Sequence, residues 1–397
     1  MKRIFAILVS AMLLVSCIED SVEKASLKIR ISFPEGTEQA VAESISLEDL
    51  NITISNKSLP FNYSCHPDEN GEIEMELGCG KYDLLASVEY ESGLSANTSA
   101  SEFILTSEGI IQDDGTTGAP VLDLTLNIAK PASIIIRELY YHGSSTPEGA
   151  NYTNDRYIEL YNNGAVREYL DSLCVCTIYP HNSTSGNNPW AGRDTIPIAG
   201  MCWMIPGNGT QYPIEPGQSC VLAFCAVDHT NRATSRLDMS RADFGFYDPL
   251  LSKHEIAAGI PALTRIIAAQ GTAWTLSIHS PAVAVFRPEH GVAAYLADPS
   301  LWERYEIGKT SGTKYWHIAK DWIVDGIECA DTPQKSVKRL PTSVDASYIY
   351  MESAHYSGKV ITRREKGMAG GVMKYKDTNN SAEDFITDVA PNPHFNR

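Results

Sequence analysis

Leu27-Lys28-Ile29-Arg30-Ile31-Ser32-Phe33 alternates strictly, so an extended strand would carry four apolar side chains on one face and two cations on the other. Leu50, Ile52 and Ile54 repeat the pattern. So do Ile73, Met75 and Leu77, with Glu72, Glu74 and Glu76 facing away. Tyr82, Leu84, Ala86, Val88 and Tyr90 follow, then Leu122, Leu124, Leu126 and Ile128. Asp68-Glu69-Asn70-Gly71 and Gly78-Cys79-Gly80 are turn signals between these runs. No segment sustains a helical period. The predicted fold class is all-β, with residues 26–130 forming one β-sandwich. If Asn70-Gly71 closes a two-residue hairpin, residue 65 lies opposite 76 and residue 79 opposite 62. Cys65 and Cys79 would then be about three residues out of register, roughly 10 Å apart and beyond disulfide reach.

Pro131 marks the next boundary, and a second β unit over 131–397 starts with Ile134-Ile135-Ile136-Arg137-Glu138-Leu139-Tyr140-Tyr141. Tyr157-Ile158-Glu159-Leu160-Tyr161-Asn162-Asn163 continues it, with Ile158 and Leu160 expected on the core face and Glu159 pointing outward. Tyr169–Leu173 and Ile214–Leu222, the latter with a Pro216-Gly217 turn, come next. Lys376–Phe385 carries Asp377-Thr378-Asn379-Asn380 and Asp384-Phe385, and Ala390-Pro391-Asn392-Pro393 follows. Short polar side chains at Asp377–Asn380 suit a tight turn better than a cation site built from Asp377, Asn379 and Asp384.

This ordered set resembles the lamin-tail domain, an Ig-like β-sandwich. The Asp68–Leu84 stretch resembles transthyretin-like and carboxypeptidase-regulatory-like Ig modules, which serve mainly as spacers. Adding Pro206–Thr210, Ala226–His229, Ala242–Phe244 and Trp322–Glu328, the chain is similar to a family of functionally uncharacterised lipoproteins of Gram-negative gut anaerobes. The resemblance implies two Ig-like β-sandwich domains, the second lamin-tail-like. At 131–397 that unit exceeds a minimal lamin-tail sandwich, so long insertions are expected at about 177–213 and 228–320. It implies no catalytic residue.

The N-terminus supplies an address. Lys2 and Arg3 precede an apolar run from Ile4 to Val15, about 12 residues, too short to span a bilayer and suited to a signal-peptide core. Ser16-Cys17 resembles the bacterial lipoprotein signal, which implies a leader over 1–16, lipidation at Cys17 and a tether over 17–25. Ile18 stands where an inner-membrane retention Asp would be, and Glu19-Asp20 resembles an acidic surface-export tract. The outer membrane is therefore expected, facing the cell surface, with the periplasmic leaflet as the alternative. Asp20-Ser21-Val22 and Asp194-Thr195-Ile196 resemble the O-glycosylation acceptor of these bacteria, at Ser21 and Thr195. Asp171-Ser172-Leu173 matches as well but should be shielded.

Without the leader, 30 cations face 49 carboxylates, a formal −19, and no strong basic cluster offsets it. Nucleic acid is not expected as a partner on that ground. The eight cysteines beyond Cys17 lack zinc-ligand spacing, and buried free thiols are expected for most of them. Serine-hydrolase, zincin and phosphate-loop patterns are absent, so neither catalytic residues, nor a metal, nor a cofactor is expected. The predicted function is a lipid-anchored binding or assembly protein, its partner a glycan or an outer-membrane barrel protein. A hydrolase built in the insertions is the alternative. Trp190, in the polar stretch His181–Gly192, and Tyr212 are the candidate ligand contacts, because an aromatic ring among Asn and Ser suits sugar stacking; the alternative for Trp190 is a ring folded back as a lid over one end of the sandwich. Trp203 and Tyr247 lie in similarly turn-rich segments, whereas Trp274, Trp316 and Trp322 read as core.

Overall fold

The computed structural model describes residues 22–396 apart from 36, 38, 60, 91–93, 99, 100, 113, 114, 130, 131, 185, 252, 269–273 and 275. Cys17 and Ser21 therefore lie outside the described residues. The chain is all-β with a few one- or two-turn helices, and it divides into two compact units, Met1–Lys130 and Pro131–Arg397.

In the first unit the strands are β1 (Lys24–Ser32), β2 (Asn51–Asn56), β3 (Asn62–Cys65), β4 (Glu72–Gly78), β5 (Gly80–Glu89), β6 (Ser95–Thr98), β7 (Ser101–Thr106), β8 (Gly109–Ile111), β9 (Thr117–Gly118) and β10 (Val121–Ala129). β10 changes partner midway. Its first half runs parallel to β1, with Val121 opposite Lys28, and its second half antiparallel to β6, with Leu126 opposite Thr98. Leu27, Ile29, Ile31, Ile52, Ile54, Tyr82, Leu84 and Leu126 meet in one core, as the alternation requires. The outward cations are paired: Lys28 with Glu72 at 2.7 Å and Arg30 with Asp123 at 2.6 Å.

The Asn70-Gly71 turn forms, with Gly71 at φ +78 and the Asp68 carboxylate accepting the N–H of Asn70 and Glu72. It closes no hairpin between β3 and β4. β3 pairs with β2, placing Cys65 opposite Ile52, while β4 pairs with β1. The 65-to-76 register therefore does not arise, and Cys65 and Cys79 are free thiols.

The second unit is built on two sheets. The first contains β11 (Ile134–Tyr140), β12 (Tyr157–Asn162), β15 (Ser219–Ala223), β16 (Phe244–Gly245), β22 (Val360–Arg363) and β23 (Phe385–Val389), in the order β16-β15-β12-β11-β22-β23. The second contains β13 (Cys174–Ile178), β14 (Thr195–Met204), β17 (Thr264–Ile267), β18 (Ala282–Phe286), β19 (Glu303–Tyr305), β20 (Lys314–Ala319) and β21 (Ile323–Glu328). Its order is β19-β20-β14-β13-β18-β21, with β17 on β14. Ile136, Leu139, Ile158, Leu160 and Leu222 of the first sheet pack with Val175, Trp203, Val283, Val285 and Ile327 of the second. That is a sandwich core.

The stretches expected as insertions are structural. Residues 177–213 contain β14, and 228–320 contain β16 through β20. The seven-stranded sheet is therefore largely made of them. Its outer face is covered too, since Cys174, Cys176, Cys202, Phe286, Tyr295 and Ile318 form a further cluster beneath helices Gly291–Ala297 and Pro299–Trp302. With both faces buried, β18 reads as an unbroken apolar run and β13 as one broken only by Thr177, so the period of two is lost.

Glu159 points outward as the alternation requires, but it does not meet water. It lies on the outer face of β12 yet is 0% exposed, because Arg137 binds it through two nitrogens at 2.6 Å and the C-terminal segment lies across both.

Candidate functional site

β19 and β20 form an antiparallel hairpin with Glu303 opposite Trp316 and Tyr305 opposite Lys314. β20 continues onto β14 through His317 opposite Pro197. Just past β13, the N–H of Tyr179 donates to the Pro197 carbonyl at 2.9 Å, which fixes that ring beside the hairpin. These elements enclose an open groove of about 620 Å³. Its lining includes Tyr179, Tyr305, Tyr315 and Trp316, with His181, Glu303, Thr313 and Lys314 as polar groups and Ile198, Gly200 and Ile267 as apolar ones. Gly200 interrupts β14 at φ +93, a conformation a side chain would strain, and so leaves the groove open there.

The four aromatic rings are half-buried. Tyr179 and Tyr315 lie 4.5 Å apart between centroids at 38°, forming a stepped platform. Burial and the neighbouring Tyr179 push the Tyr315 hydroxyl up to about 12, so it stays a neutral donor. Lys314 Nζ stands 5.2 Å from the Tyr305 ring centroid, within cation–π range. Apolar ring faces next to a few hydrogen-bonding groups suit a ligand with apolar C–H patches and hydroxyls. Glycoside hydrolysis in its usual form needs two carboxylates about the scissile bond. Among the lining residues only Glu303 supplies one.

The sequence-nominated aromatics fall elsewhere. Of the two readings of Trp190, a ligand contact at a loop tip and a lid folded over the sandwich, the ring follows the second: it is 5% exposed and packs edge-on against His317 at 4.3 Å. No ligand can stack on its face there, so the ring is a lid over β20. Tyr212 is half-buried and meets Phe244 edge-on at 4.9 Å, packed on the sandwich core. Trp203 is wholly buried in β14 and Trp274 is 4% exposed, both in the main core. Thr195 opens β14 half-buried, its hydroxyl 3.2 Å from His317 Nδ1 and accepting from Arg304 at 3.4 Å. Ser172 has φ +61 beside a buried Asp171, whose carboxylate accepts the N–H of Gly209, Gln211 and Tyr212. The groove tyrosines were missed because β19 and β20 lay inside a presumed insertion. The available signal was the Gly308–Gly312 turn between two short aromatic strands.

The Asp377–Phe385 motif serves the interior. Arg363 donates to Asp325 at 2.7 Å, Asp377 at 2.9 Å and Asp384 at 3.4 Å, all buried. Asp384 also accepts from Thr378 N and Oγ1, and Asn380 caps the Ser381–Asp384 turn. A guanidinium thus occupies the place that a cation site there would need.

Residues 215–392 match the family described as a protein of unknown function (DUF4876). That span runs from β15 to β23 and contains the groove hairpin. No curated protein matches. Among solved structures, the chain is similar to a DUF4876 family protein from Bacteroides thetaiotaomicron VPI-5482, with 21% identity and a TM-score of 0.59, covering 92% of this chain and 96% of that one. The two share a fold. DUF3823 family proteins from Bacteroides ovatus ATCC 8483 (8% identity, 78% of this chain, 100% of that one) and Parabacteroides merdae ATCC 43184 (11%, 49% and 100%) have TM-scores of 0.17 and 0.16, too low to argue from.

Proposed function

We propose that this protein is a lipid-anchored binding component of the bacterial outer membrane that holds a neutral glycan in the aromatic groove of its second unit. The observation that carries the reading is the half-buried platform of Tyr179 and Tyr315, with Tyr305, beside a single carboxylate. A formal charge of −19 after loss of the leader disfavours polyanionic ligands and adds support. The hydrolase alternative has less behind it, because Glu303 lacks a carboxylate partner among the lining residues. Lipidation at Cys17, a surface orientation and O-glycosylation at Ser21 belong to the same reading. Thr195 is the weaker acceptor, since its hydroxyl is engaged by His317 and Arg304. A lamin-tail-like ancestry is supported by the motif order and by the sandwich of the second unit.

Calorimetric titration with neutral oligosaccharides tests the proposal. Tyr305→Ala and Tyr315→Ala should each weaken binding at least about tenfold, the loss of one well-placed aromatic contact, with little change in thermal midpoint. Unchanged affinity in both variants, or cleavage of the sugar by the wild type, would refute it.

A further inference from the structure

His279, Asp331 and His355 come from three separated stretches of the second unit. Each offers one ligand atom, and these atoms all lie within 4.8 Å of one another. Among the described residues they are the one group of three such side chains so placed. His279 precedes β18, Asp331 follows β21, and His355 sits in the segment before β22.

Each of the three stretches is held by hydrogen bonds of its own backbone, and Ser183 ties the first two together through Ser280 and Asp331. Ser277 Oγ accepts the N–H of His279 and Ser280. Asp331 N donates to Ser183 Oγ at 3.0 Å. The Asp388 carboxylate accepts the N–H of Glu352 and Ser353, which anchors the turn carrying His355. His279 Nδ1 and Asp331 Oδ1 are already 3.1 Å apart. Ligand atoms around a tetrahedral ion with bonds of roughly 2.0–2.2 Å stand about 3.3–3.6 Å from one another.

A simple ion pair accounts for His279 and Asp331 and for nothing else here. The His355 ring meets His279 edge-on at 4.6 Å and meets His142 edge-on at 5.0 Å. His142 is 2% exposed, and its Nδ1 is buried with no hydrogen-bond partner. A buried imidazole nitrogen left unpaired is costly and calls for an explanation. Two imidazoles and one carboxylate converging, with the His142 ring beside them, make a donor set suited to a borderline divalent metal. Lys335, 3.6 Å from Asp331 Oδ2, is exposed and can swing away into water.

We infer that His279, Asp331 and His355 bind a divalent first-row transition-metal ion, zinc best fitting the nitrogen and oxygen donors, with His142 as a third imidazole packed against His355. His279 is exposed, so the ion is reachable from solvent. Its role is to tie the β18, β21 and β22 approaches together. No pairing of His or Cys along the chain announces it, because the ligands are 52 and 24 residues apart.

The test is calorimetric titration of the untagged, chelator-treated protein with Zn2+, alongside thermal unfolding. The wild type should bind one ion per chain at micromolar concentration or tighter, and its midpoint should rise with added zinc, because binding to the folded state alone stabilises it. His279→Ala and His355→Ala should each weaken binding by at least about tenfold and lose the thermal shift, while their near-ultraviolet circular dichroism without metal matches the wild type. Equal zinc affinity in the wild type and a His279→Ala/His355→Ala double variant would overturn the assignment. So would the absence of any zinc-dependent shift in the wild type.

Discussion

Glu138 and Arg363 show what single buried charges do in this fold. Burial, outweighing the pull of Arg137, raises the Glu138 carboxyl to about 7. Between its ordinary value of 4.5 and about 7, the folded state holds a proton that the unfolded state has released. Stability from this group is therefore full below pH 4.5 and falls as pH rises toward neutrality. Burial likewise raises Asp325 and Asp384, which share the single cation Arg363 with Asp377, so these carboxyls act in the same direction. Urea unfolding free energy, compared at pH 5 and pH 8, should fall less in Glu138→Gln than in the wild type; equal slopes would remove Glu138 from the account. Trp190 carries a second expectation at this scale. Truncating a buried Trp leaves a cavity, so Trp190→Ala should cost about 3 kcal/mol in urea unfolding. A change below about 0.5 kcal/mol, typical of surface sites, would return the ring to the loop tip. Sequence alone could not separate these outcomes, because the polar neighbours of Trp190 describe the loop and not what lies beneath it.

β11 changes the parity of its core-facing side chains partway along. Ile134 and Ile136 face the main core, but so do Leu139 and Tyr141, which have the opposite parity. The register slips between Ile136 and Glu138, a bulge that places Arg137 and Glu138 together on the outer face. There Arg137 meets Glu138 at 2.5 Å and Glu159 at 2.6 Å. The C-terminal segment seals the trio. Asn392 N donates to Glu138 at 2.9 Å, and the Asn392 carbonyl accepts from Arg137 at 2.6 Å. His394 N reaches Glu159 at 3.3 Å, while Phe395 lies under Arg241 at 4.9 Å. Truncation after Val389 removes these hydrogen bonds to charged groups and readmits water, so a net loss of about 2–4 kcal/mol is expected in urea unfolding. Unaltered stability would mean that the segment merely rests on the sheet. The β4 strand was legible because an edge strand with one wet face keeps its period. β18, covered on both faces and so without that period, was not.

At the scale of the whole molecule, the proposed anchor and the surface charge are tested together by fractionation and mass. Cys17→Ser should move the protein from the membrane pellet to the soluble fraction, or leave its leader uncut; equal membrane retention would refute lipidation. The intact mass of the wild type should exceed polypeptide plus lipid if Ser21 carries a glycan, and a mass equal to that sum would dismiss the modification. With 49 carboxylates against 32 cations over the full chain, nucleic-acid binding should be weak and should fade further with salt. Tight, salt-sensitive DNA binding would contradict the charge argument.

By itself the sequence determined the fold class and five strands of the first unit, β1, β2, β4, β5 and β10, because side-chain alternation is a property of the local chain. The Asp377–Phe385 turn was readable for the same reason, since Asn380 and Asp384 bond to backbone only a few residues away. Tertiary structure alone decided that residues 177–213 and 228–320 supply most of a sheet, which of the two readings Trp190 follows, and that Tyr179 meets Tyr315 across 136 residues. It also decided that His279, Asp331 and His355 converge. Each of these depends on which strand lies beside which, and in a β-sandwich that pairing is made between segments far apart in the chain, where no local pattern records it.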